Sequence, residues 1–177
     1  MPAKGTHGRA TGATGATGAT SAAARTRLAA MIGRYPRAIG KEGRAALARL
    51  RRHAPGAAEL VYDNYAGLVV GFCSTDRPSD AVFSLIFRPE WLTLCFLQGG
   101  PKLPDPAGIL RGGGTQVRHV RLTKASDLDR PELRALLEIA ASRARTPFVP
   151  TGRRSLTIRV VAPRRRERRP AGPRAGR

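Results

Sequence analysis

The sequence predicts an α+β domain, a mostly antiparallel sheet with helices packed on one face. Three observations predict it. Strand-like apolar runs follow one another between residues 59 and 122 with links that are short, and parallel crossovers need a dozen or more residues. Amphipathic helical patterns stand before and after that run and not between its strands. The segment left after the low-complexity ends is long enough to bury a core of its own.

The elements follow in order. Residues 1–27 are expected to be a disordered arm, because Ala10–Thr20 reads ATGATGATGAT and offers too little apolar surface to offset ordering entropy. Met31 is an alternative start. Leu28–Arg34 predicts a short helix stopped at Tyr35-Pro36. Ile39–Ala54 predicts a longer one, with Ile39, Gly43, Ala46, Leu47, Leu50 and Ala54 on one stripe and Lys41, Arg44, Arg49, Arg51 and Arg52 on the other faces. Pro55-Gly56 ends it.

Glu59–Tyr62 and Leu68–Cys73 predict two strands of a hairpin, joined through Asp63-Asn64-Tyr65-Ala66-Gly67. Ala81–Phe87 and Trp91–Leu97 predict two more, separated by Arg88-Pro89-Glu90, and Val117–Leu122 a fifth. A helix follows from Asp127–Pro131, with acid and proline where a helix N-terminus favours them and Leu133, Leu136, Leu137, Ala140 as its apolar stripe. Ser155–Val161 closes the domain, 28–161, as a last strand. Residues 162–177 are expected to be a disordered arginine-rich tail.

The chain carries 32 Lys and Arg against 12 Asp and Glu, a formal charge of +20, and most of the excess lies in its two ends. Two origins account for this: GC-rich coding, which inflates Arg, Ala, Gly and Pro together, and attraction to polyanions. The run Arg164, Arg165, Arg166, Arg168, Arg169 is therefore a candidate polyanion site. It holds no aromatic residue for base stacking, so any nucleic-acid contact would be to phosphates and not sequence-specific. No secretory signal is apparent, and no stretch nears the roughly 20 apolar residues of a membrane helix. Cys73 and Cys95 sit inside apolar runs, as reduced buried thiols do. A cytoplasmic setting without membrane partners is expected.

The segment Gly99–Leu122, GGPKLPDPAGILRGGGTQVRHVRL, is the most constrained in the chain. Three prolines fix φ, and Gly112, Gly113 and Gly114 form a corner open to φ values other residues resist. It matches no phosphate-binding fingerprint. Together with ELVYDNY at 59–65, RPSD at 77–80 and Thr151-Gly152, the LPDPAGIL and VRHVRL runs resemble the YdhG-like bacterial family of unknown function, over about residues 28–169. The resemblance implies a frataxin-like fold, and some family members carry the label iron chaperone. Iron binding of the frataxin type uses an acidic ridge on the first helix. Here the corresponding helix carries five cations against Glu42, and it would repel Fe²⁺.

The residues suggest a non-enzymatic binding or chaperone-like domain for a small ligand or protein. No cofactor follows from them, and iron enters by resemblance alone. The candidate ligand-binding set is Tyr62, Asp63, Asn64 and Tyr65 at the hairpin, and Asp105, Gly112, Gly114, Arg118 and Arg121 in the glycine-corner region. Each has a plainer reading. Asp63 and Asn64 supply turn geometry, Asp105 caps its own turn, and Arg118 forms a salt bridge with its base toward the core. No histidine pair has metal spacing, no nucleophile has a neighbouring base, and no catalytic residue is assigned.

Overall fold

The computed structural model describes residues 21–64, 67–152 and 154–161. Three α-helices and six strands run in the order α1 (Ser21–Ile32), α2 (Arg37–His53), β1 (Ala58–Asn64), β2 (Gly67–Cys73), β3 (Ala81–Phe87), β4 (Leu92–Phe96), β5 (Arg118–Leu122), α3 (Pro131–Ser142) and β6 (Ser155–Val161). The sheet has the order β5-β4-β3-β2-β1-β6. Neighbours from β1 to β5 pair antiparallel, and β6 returns to pair parallel with β1, Ser155 opposite Ala58. The α+β class is therefore observed.

Alternation along the strands sends one set of side chains to a single core. Val61, Val70, Phe72, Phe83, Leu85, Phe87, Leu94, Phe96 and Leu122 are sealed there, and the buried stripes of all three helices join them. Helix α2 comes close enough to β3 that a Cβ on Gly43 would lie 2.0 Å from Phe87 Cε1. Phe87 also packs on the Tyr35 ring at 5.6 Å, and the Tyr35 hydroxyl accepts the Leu68 N–H. Across the core face, Arg51 of α2 holds the buried Glu59 carboxylate with two hydrogen bonds of 2.7 and 2.8 Å.

Three differences from the sequence reading have physical causes. Helix α1 begins at Ser21, inside the segment 1–27 expected to be disordered, and Ala24 is buried in the core. Alanine favours helix without contributing a visible apolar stripe, so the pattern conceals that first turn. The hairpin strands run further than expected. Asp63 and Asn64 are strand residues opposite Leu68 and Gly67, not turn residues. The helix foreseen from Asp127 is split into a 3-10 turn, Ala125–Asp129, and α3, which starts at Pro131. The turn is anchored from α2, where Glu42 accepts the Ala125 N–H at 2.6 Å. No described helix is long and apolar enough to cross a membrane.

Candidate functional site

The constrained segment folds into a cationic corner at the β4–β5 side of the sheet. After β4 the chain reverses at Gly99, which has φ +60°, and makes a 3-10 turn, Gly100–Lys102. Gly100 donates to the Gln116 carbonyl at 2.8 Å, and a Cβ there would stand 2.6 Å from the Arg118 amide nitrogen. The start of β5 is thus held against this turn at a distance only glycine permits. Beyond the buried Leu103, the Asp105 carboxylate accepts the Ile109 and Leu110 N–H groups at 3.0 and 2.8 Å. Arg111 and His119 exchange backbone hydrogen bonds, and Gly112 turns the chain at φ +111°. Thr115 and Gln116 remain exposed.

The electrostatics of this corner follow from what holds its arginines. Arg143, just after α3, donates to the Lys102 carbonyl at 2.9 Å, and Arg145 donates to the Ser79 carbonyl at 2.6 Å. The Arg145 amide donates to Gln98 Oε1. Arg118 reaches the Gly114 and Val117 carbonyls, and Arg111 the Gly108 carbonyl. Carbonyl oxygens fix a guanidinium in place without cancelling its charge, unlike a carboxylate. Asp105 is turned inward on its own loop. The result is a cleft of about 410 Å³ in which Lys102, Arg143 and Arg145 face Leu103, Thr115 and Gln116, with no acidic residue among the described residues of the lining.

A larger cleft, about 600 Å³, lies between the end of α2 and α3, and its charges are balanced. Asp129 there pairs with Arg49 at 2.9 Å and Arg52 at 3.8 Å, and Arg134 with Glu138 at 4.0 Å. Burial lowers the pKa of His53 in this cleft.

The residues expected to form one ligand rim fall into two groups. Asp105, Gly112, Gly114 and Arg118 belong to the corner, where β4 ends and β5 starts. Tyr62, Asp63 and Asn64 sit on β1 toward the other end of the sheet, about 19 Å across it by four strand spacings, while Arg121 lies three residues along β5 from Arg118, about 10 Å away and on the opposite face. Tyr62 packs beside Ala58, Leu60 and Cys73 on the face away from the helices, and burial raises its pKa. Asp63 lies 3.6 Å from Arg34, and Arg121 stacks 4.1 Å over the Trp91 ring. Arg118 has no carboxylate partner among the described residues, and Asp105 takes its turn-capping role. Tyr65 and the run Arg164, Arg165, Arg166, Arg168, Arg169 lie outside the described residues.

Sequence reasoning missed Lys102, Thr115, Gln116, Arg143 and Arg145. Arg143 and Arg145 reach the corner only because α3 runs back across the sheet, and no local motif announces that return. Among the described residues, no group of three or more His, Cys, Asp or Glu could hold a metal ion. The chain matches no protein-family model, no curated protein and no solved structure.

Proposed function

We propose that this chain is a non-enzymatic ligand-binding domain of the YdhG-like kind, and that its ligand is a small phosphate-type anion held at the β4–β5 corner. One observation carries the reading: among the described residues three cations and no acid line the cleft, and two of the cations are oriented by backbone carbonyls that leave their charge uncompensated. A phosphate offers those guanidiniums charge and geometry together, while the Thr115 hydroxyl and the Gln116 amide suit a polar remainder. Iron delivery finds less support, since α2 is basic and the described acids are dispersed or paired to arginine.

Titration of the full chain with pyrophosphate, followed by two-dimensional NMR, tests this. The amide signals of Thr115 and Gln116 should shift saturably, and Arg143→Ala or Arg145→Ala should weaken that response about tenfold. Arg52→Ala, in the balanced cleft, should leave it unchanged. Equal shifts in the parent and both corner variants would overturn the assignment.

A second reading concerns the arginine tail and nucleic acid. About seven phosphate contacts would cost 10³–10⁴ in affinity between 50 and 200 mM salt. Deleting residues 162–177 should abolish that binding, and its persistence would refute a tail-driven mechanism.

A further inference from the structure

At the opposite edge of the sheet, α1, α2 and β6 enclose a second cleft of about 410 Å³, and its chemistry differs from that of the corner. Six strands at about 4.8 Å spacing separate the two edges by roughly 24 Å, so the two sites are independent. Its walls are apolar: Leu28, Ala29 and Ile32 along one side of α1, Leu47 from α2 and Leu156 from β6. Four of these belong to the core cluster and form the floor of the cleft, while Ala29 is exposed at its side. The rim carries Arg25, Arg44, Arg51 and Arg154, and Glu59 is the one acidic residue among the described residues of the lining.

The charges divide clearly. Glu59 is already engaged by both Arg51 hydrogen bonds, and burial leaves it little other access. Arg154 donates to the Arg51 carbonyl at 3.3 Å, which ties the start of β6 to the end of α2 without neutralising either guanidinium. Arg25 and Arg44 have no acidic partner among the described residues. The cleft is therefore apolar within and carries surplus positive charge at its mouth. A phosphate would gain the charge and waste the apolar walls. An uncharged hydrocarbon would do the reverse. A molecule with a carboxylate head and an alkyl tail uses both, and the volume lies in the range that takes a small organic ligand.

We infer that this cleft binds an amphipathic monoanion of the medium-chain carboxylate class, with the tail lying along the apolar floor formed by Leu28, Leu47 and Leu156 beside Ala29, and the head at Arg44 and Arg25. The inference goes beyond the corner site and does not depend on it. Each buried methylene contributes a fixed increment, so shortening the tail by two carbons should weaken binding about tenfold.

The experiment is calorimetric titration of the full chain with decanoate, octanoate, 1-decanol and inorganic phosphate. Decanoate is expected to bind saturably, octanoate about tenfold more weakly, and 1-decanol at least tenfold more weakly than decanoate. Arg44→Gln should cost decanoate about tenfold. Ala29→Trp, at an exposed position on the rim, should fill the cleft and abolish binding, and circular dichroism checks that both variants stay folded. Arg143→Ala should leave decanoate binding unchanged, which separates this site from the corner. The inference is overturned if Ala29→Trp binds decanoate like the parent, if octanoate and decanoate bind equally, or if decanoate does not bind. Phosphate binding that Arg44→Gln abolishes, with no dependence on tail length, would also overturn it, as simple surface attraction.

Discussion

Two glycines three residues apart in α2 should respond in opposite directions to the same substitution. Helix propensity alone says that Gly→Ala inside a helix gains about 0.5–1 kcal/mol. At Gly40 nothing opposes that gain. The nearest atoms to an added Cβ, the Arg44 Nη1 and the Ile32 carbonyl oxygen, lie at 3.4 Å, ordinary contact. At Gly43 the added methyl would sit 2.0, 2.6 and 2.9 Å from three atoms of the Phe87 ring, which is fully buried and braced by Tyr35. Relief requires moving the ring or the helix, and overpacking of this kind costs about 1–3 kcal/mol. Less the propensity gain, Gly43→Ala should destabilise the domain by about 1–2 kcal/mol. Gly40→Ala should stabilise it by about 0.5–1 kcal/mol. Urea unfolding followed by circular dichroism reads both. Adding Phe87→Leu to Gly43→Ala should make the pair less costly than the sum of its parts, because the clash and the ring then disappear together. A Gly43→Ala protein as stable as the parent would refute the close α2–β3 approach.

The pH dependence of stability should carry a contribution from His53. Burial holds its folded pKa below the ordinary 6.5, so just below that pH the unfolded chain binds the extra proton and the folded one does not. Stability should therefore fall as pH drops from 7 through 6, and His53→Gln should flatten that part of the curve in unfolding experiments at stepped pH. The Cys73 thiol, buried and pushed up to about 11, should resist iodoacetamide at neutral pH until the protein unfolds. Burial raises Cys95 as well, and mass spectrometry of native and urea-treated samples should find both cysteines labelled only in the latter.

The fold was largely legible because its signals are local. Ala81–Phe87 and Ser155–Val161 read as strands from composition and alternation, and both are observed with those bounds. The stripe of Ile39, Gly43, Leu47 and Leu50 located α2 and its buried face. What stayed hidden depends on tertiary placement. No pattern in Ser155–Val161 says that this strand lies parallel beside β1, and an alanine-rich first turn has no stripe to betray α1. The candidate site was half legible. The prolines and glycines of Gly99–Leu122 marked a constrained loop, and the loop is where the cationic corner forms. Its charge, however, comes partly from Arg143 and Arg145, which only the fold brings there. The sequence groups Arg121 with Arg118 in one candidate rim, but three residues along a strand place the two on opposite faces, and Arg121 rests on Trp91 instead.

The parallel pairing of β6 with β1 has a consequence for the order in which the molecule is made. β1 is followed in the chain almost directly by its antiparallel partner β2, while its other edge pairs with a strand that lies nearly a hundred residues later. Until then the backbone groups of Ala58–Asp63 along that edge are an open template for any extended chain nearby. Pairing over so long a separation is also slow to form, because the intervening loop must close first. A chain that folds as it is synthesised would therefore have five strands able to pair while that edge stays bare. A fault in 155–161 should therefore appear as aggregation during synthesis before it appears as lost stability in the finished protein.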